Sequence, residues 1–124
     1  MKFEKLTVWQ RASKLTCELY TVLNNCKDLG FKDQITRSAL SIPSNIAEGE
    51  ERETLKESIR FLYYAKGSAG ELVTQLYIGM KLQFVDKDKG HALVMEAKEI
   101  AKIIGSMIIL RKKKVLKVSK DISE

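Results

Sequence analysis

The stretch Gln34-Ile35-Thr36-Arg37-Ser38-Ala39-Leu40-Ser41-Ile42-Pro43-Ser44-Asn45-Ile46-Ala47-Glu48-Gly49 decides the fold. Its apolar residues Ile35, Ala39, Ile42 and Ile46 recur at spacings of four, three and four, the period of one helix face. Pro43 sits inside this run and removes the amide that would bond the carbonyl of Ala39, at a cost of ~3 kcal/mol or more in an ordinary helix. The apolar phase nevertheless passes through Pro43 unchanged. The spacing therefore predicts one continuous helix over about Lys32 to Glu48, kinked at Pro43, rather than two separate helices, with Gly49 as its stop.

Working outward, the same logic gives three more helices. Thr7 and Gln10 have the spacing of a capping box, and open a helix whose inner stripe is Val8, Ala12, Leu15, Leu19, Val22 and Cys26. Gly30 reads as its left-handed end. Thr54 and Glu57 form a second box ahead of a helix reaching about Gln83, with Leu55, Ile59, Leu62, Ala69, Leu72, Leu76 and Met80 inward. Asp86 or Asp88 suits the positive end of a fourth helix, on which Leu93, Ala97, Ile100, Ile104, Met107 and Ile108 form the inner face. Four amphipathic helices with short connections predict an all-α, antiparallel up-down four-helix bundle over residues 1–110, followed by a basic tail over 111–124.

Bulk composition agrees. At 124 residues, 44% hydrophobic and 31% charged, the chain fits one globular domain with a real core. Of the formal charge of +6, the tail holds +4, from Arg111, Lys112, Lys113, Lys114, Lys117 and Lys120 against Asp121 and Glu124. Such a tail can attract polyanions, and it can equally cap a helix dipole and aid solubility. The opening MKFEKLTVWQ lacks the apolar run of a secretory signal. The most apolar stretch, Ile100 to Leu110, falls well short of the ~20 residues that span a bilayer. With Cys17 and Cys26 unable to bridge across one helix, these features predict a reduced, cytoplasmic protein without a membrane partner.

Two helices carry more apolar surface than one core needs. Phe61, Tyr63, Tyr64, Val73, Tyr77 and Ile78 widen the third, and Ile100, Ala101, Ile103, Ile104, Met107, Ile108, Ile109 and Leu110 surround the fourth. Either residues 115–122 fold back over this surface or further copies of the chain cover it, and the sharing of the surplus by two helices favours self-association. The run Ala65-Lys66-Gly67-Ser68-Ala69-Gly70 lets another backbone approach closely, whether the chain's own second helix or another protomer.

Polar positions fall into stripes. Gln34, Arg37, Ser41, Asn45 and Glu48 share one side of the second helix, and Glu57, Tyr64, Ser68, Glu71 and Gln75 one side of the third. Were these sides to meet, Arg37, Asn45, Glu71 and Gln75 would form a polar network that sets register or orients protomers. The alternative is that Arg37 and Asn45 line a surface for phosphate. Trp9 reads as a core or interface anchor. For catalysis the sequence offers little: His91 is the lone histidine, and no phosphate-binding loop or nucleophile elbow is present. The residues imply no cofactor and no metal. The rival reading is a small-molecule- or metal-dependent enzyme built on the faces bearing Arg37, Glu48, Glu57 and Glu71.

Three blocks carry a family resemblance: Leu6-x-Val8-Trp9-Gln10, the Gln34–Gly49 stretch, and Ala65-x-Gly67-Ser68-x-x-Glu71-Leu72-x-x-Gln75-Leu76. Together they resemble the four-helix-bundle proteins encoded in intervening sequences of bacterial 23S ribosomal RNA genes, over most of residues 3 to 110. The resemblance implies a bundle that assembles as a homopentameric ring without known enzymatic activity. A more distant relative, the accessory protein of diversity-generating retroelements, engages nucleic acid and a reverse transcriptase. That relation points to an RNA or DNA partner, or a protein partner. Interface candidates are Arg37, Asn45, Glu48, Glu71 and Gln75 from the polar stripes, with Arg111, Lys112, Lys113 and Lys114 from the tail, which lies outside the resemblance and is a candidate on its charge alone.

Overall fold

A computed structural model of the chain describes residues 1–123. After a 3-10 turn over Lys2–Lys5 come four helices: α1 (Thr7–Val22), α2 (Leu29–Glu51), α3 (Leu55–Lys81) and α4 (Lys87–Ser123). No strand occurs among the described residues. Each helix packs on its neighbours in sequence and α1 also packs on α4, whereas neither diagonal pair approaches within 8 Å between Cα atoms. Ser41 meets Ser68 while Gly49 meets Ser58, so α2 numbers rise where α3 numbers fall.

The core is built largely on the stripes that the periodicity picks out, although Val22, Cys26, Leu55, Ile59, Met80 and Met107 are only half-buried and Leu23, Ala65, Val85 and Val94 join it. Ala12, Leu15 and Leu19 from α1, Ile35, Ala39, Ile42 and Ile46 from α2, Leu62, Ala69, Leu72 and Leu76 from α3, and Ala97, Ile100 and Ile104 from α4 are all buried. Burying each large aliphatic side chain contributes about 1.5–3 kcal/mol. At the α3–α4 turn two glycines permit close packing. A Cβ on Gly79 would stand 2.6 Å from Phe31, and one on Gly90 2.6 Å from the Met80 sulfur. Trp9 is half-buried and packs on Phe3, their ring centroids 5.1 Å apart.

Helix α2 runs unbroken through the buried Pro43. The carbonyl of Ala39, deprived of its amide partner there, accepts a hydrogen bond of 3.1 Å from Thr16 Oγ1 on α1. The same hydroxyl lies 2.9 Å from the carbonyl of Ala12 and shares its proton between the two.

Several expected boundaries shift. Thr7 does not cap α1; Leu6 precedes the helix without a side-chain bond, and Gln10 donates instead to the carbonyl of Glu4 at 2.9 Å. Gly30 does not end α1, which stops at Val22. It lies in the first turn of α2, where the Asp28 carboxylate accepts from the amide of Phe31 at 3.0 Å. That carboxylate starts α2 earlier than its apolar stripe does. Gly49 is an interior residue of α2, because a neighbour without Cβ lets the start of α3 lie against it. Thr54 does cap α3, accepting from the amide of Glu57 at 3.1 Å, and Asp86 accepts from the amide of Lys89 at 3.0 Å at the start of α4.

Helix α3 ends in a Schellman arrangement: the amide of Phe84 bonds the carbonyl of Gly79 at 2.8 Å, and that of Gln83 bonds Met80 at 3.1 Å. Gln83 takes the left-handed position, with φ of 65°. The seam between α1 and α4 holds one part-exposed ion pair, in which Arg11 Nε donates to Glu96 at 3.0 Å. Hydrogen bonding from Arg11 holds the Glu96 carboxyl below its usual range, and the Glu96 carboxylate holds the Arg11 guanidinium above its own.

Candidate nucleic-acid interface

The polar stripes of α2 and α3 meet only in part. Ser41 Oγ and Ser68 Oγ lie 2.9 Å apart across the seam, and Asn45 Nδ2 donates back to Ser41 Oγ at 2.8 Å and to the Ser41 carbonyl at 2.9 Å. Gln75 is half-buried beyond them, its Oε1 enclosed without a hydrogen-bond partner. Arg37 and Glu48 do not join. Arg37 donates to Asp33 at 3.2 Å in solvent, and Arg52 donates to Glu48. Glu71 is exposed. The expected network of Arg37, Asn45, Glu71 and Gln75 is therefore not assembled. Long charged side chains at the margin of a seam reach water and an opposite charge one turn away on their own helix, while short hydroxyls and amides close the seam itself.

The basic segment also divides. It does not fold back; α4 crosses residue 110 without a break and continues to Ser123. Arg111 is turned inward, donating to Ser58 Oγ and to Glu50, with only 18% of its side chain and 14% of that of Glu50 exposed. It ties α4 to the junction of α2 and α3 and is not presented to a ligand. Lys113 and Lys114 are exposed. Lys56 and Ile59, in the first turns of α3, lie beside Lys112, Val115 and Leu116. Beyond that level the last seven residues of α4 project by about 10 Å, at 1.5 Å per residue. Leu116, Val118 and Ile122 remain largely exposed there.

A second basic surface was not singled out in the sequence. It is the outer furrow between α3 and α4. Lys112 donates to the hydroxyl of Tyr63 and holds its ammonium 4.9 Å from that ring's centroid. Lys98 holds its ammonium 5.7 Å from the centroid of Tyr77. Between the two tyrosines, Gly67 and Gly70 face open space, so the close neighbour expected for them is not another helix of the same chain. Lys66 passes near Gly105 of α4. Past Tyr77 the furrow opens into a cavity of about 610 Å³, lined among others by Lys81, Gln83, Lys87 and His91. The signal available in the sequence was Tyr63, Gly70 and Tyr77 at steps of seven, hidden because aromatic residues at helical spacing also mark a core.

Among the described residues no helix is long and apolar enough to cross a membrane. The family model described as 23S rRNA-intervening sequence protein matches residues 4–106. A solved structure of a protein with unknown function from the S23 ribosomal protein family of Bacteroides thetaiotaomicron superposes with a TM-score of 0.78. The superposition covers 82% of this chain and 98% of that one at 23% identity, a likeness of fold. No curated protein matches the chain.

Proposed function

The chain belongs to the 23S rRNA-intervening sequence protein family, and from that premise we propose that it acts by binding rather than catalysis. It is a cytoplasmic, homo-oligomeric helical scaffold, assembled as a pentameric ring, that presents a basic surface to nucleic acid. The observation that carries this reading is the apolar surface left outside the core. Tyr64 and Ile78 on α3 are 50% and 48% exposed, and Met95, Ile109 and Leu110 on α4 are 68%, 57% and 60% exposed. Single exposed apolar residues are ordinary, but a surplus concentrated on two adjacent helices is what a second copy would cover. The outward-facing Gly67 and Gly70 support the binding part of the reading, since a helix interior gains nothing from glycine unless something approaches it.

Mass measurement in solution at micromolar concentration tests the assembly: a closed oligomer of five copies is expected, and a strictly monomeric particle would overturn it. The nucleic-acid part has its own check. Binding to RNA should weaken steeply as salt rises, because neutralised phosphates release counterions. Absence of binding at low salt removes that part and leaves the scaffold.

A further inference from the structure

We propose that the outer furrow between α3 and α4 is a track for a single strand of nucleic acid, with bases stacking at Tyr63 and Tyr77 and phosphates held by the flanking lysines. This deepens the nucleic-acid part of the function above and rests on it. The two tyrosines stand fourteen residues apart, just under four turns, so they share one side of α3 at an axial separation of about 21 Å. Gly67 and Gly70 leave the surface between them low, with open space where a Cβ would stand. Each ring is 44% exposed, and each has one α4 ammonium within 6 Å of its centroid. One nucleotide could therefore engage a ring with its base and the adjacent lysine with its phosphate. Aromatic platforms set at intervals along a cationic groove are what binds single strands without regard to sequence.

The charge of the furrow selects the occupant. Lys66, Lys81, Lys87, Lys98 and Lys112 form no ion pair with a carboxylate among the described residues. Asp86, the carboxylate at the cavity, is committed to the amide of Lys89. Unpaired ammonium groups gathered along one groove attract a polyanion, and two copies of this face would repel each other. A duplex keeps its base faces stacked inside and cannot use the tyrosines. A single strand can.

The experiment is fluorescence anisotropy of labelled twelve-residue oligo-uridine and oligo-thymidine with the full-length, assembled protein at low salt. Tyr63→Ala and Tyr77→Ala alter exposed rings, and circular dichroism checks that each variant stays folded. Each should weaken binding by at least about fivefold, while Tyr77→Phe, which keeps the ring, stays near wild type. Polyphosphate, which has no bases, should lose affinity with Lys98→Ala or Lys112→Ala and be indifferent to the tyrosines. Oligo-uridine against oligo-thymidine tells RNA from DNA. Replacing Lys113, Lys114 and Lys117 by alanine toward the C-terminal end of α4 should matter less than either tyrosine. If that triple variant abolishes binding while the tyrosine variants bind normally, the furrow is not the track, although nucleic-acid binding stands. If the wild-type protein binds neither oligomer, both ideas fall.

Discussion

Pro43 shows what one residue can demand of a distant one. A proline inside a helix leaves a carbonyl without its donor, and an enclosed unpaired carbonyl costs about 1–3 kcal/mol. Here the donor comes from Thr16, twenty-three residues earlier and on another helix. The sequence located the vacancy at Ala39 but not the residue that fills it, because a threonine lying between two apolar stripe positions carries no mark of a long-range partner. Thr16→Val keeps the shape and removes the hydroxyl, and should destabilise by roughly 1–3 kcal/mol. With Pro43→Ala in place the helix regains its own amide, so the same change should cost about 1 kcal/mol less. A double-mutant cycle by urea unfolding measures the difference. Additive costs would mean that the hydroxyl does not serve the Ala39 carbonyl. Arg37 and Glu48 teach the complementary lesson: their place on the wheel was legible, but their choice of partner was set by reach to Asp33 and Arg52.

At the scale of elements, the number and inner faces of the helices were readable, since each face repeats every three or four residues over many turns. Their ends were harder. An end depends on one or two side chains, and Asp28 outweighs Gly30 because a carboxylate can bond a free amide while a glycine merely tolerates an unusual backbone. The end of α3 is subtler still. The left-handed site of its Schellman turn holds Gln83 where glycine is the usual resident. A side chain there costs about 1–2 kcal/mol. Gln83→Gly should therefore raise stability by about 1 kcal/mol, seen as a higher urea midpoint with an unchanged slope. A lower midpoint would mean that the glutamine side chain stabilises the turn by more than its backbone strain costs.

For the whole molecule, the cycle of four helices closes where α1 meets α4, and Arg11 with Glu96 is the ion pair on that closure. The Glu96 carboxyl, held low chiefly by hydrogen bonding from Arg11, adds stability that is fully present above the unfolded carboxylate value of about 4.3. That contribution fades as pH falls through the lower folded value. Wild type should therefore melt above Glu96→Gln at pH 7, by the few tenths to about 1 kcal/mol of a part-exposed pair. The gap should shrink as pH falls below the unfolded value, and one that stays constant throughout acid titration would show that charge is not its source. The furrow between α3 and α4 escaped the sequence because it belongs to two helices at once: Tyr63 and Lys112 are forty-nine positions apart until the chain folds.

The projecting end of α4 has one more consequence. In a cyclic ring of identical chains whose bundles stand along the ring axis, the same terminus leaves every subunit on the same side. Such a ring would then be lopsided, one rim crowned by spokes bearing Lys117, with Lys113 and Lys114 at their base, and the other finished by compact hairpin bends. Whatever approached such a particle would meet two different faces, and could tell them apart by charge before touching either.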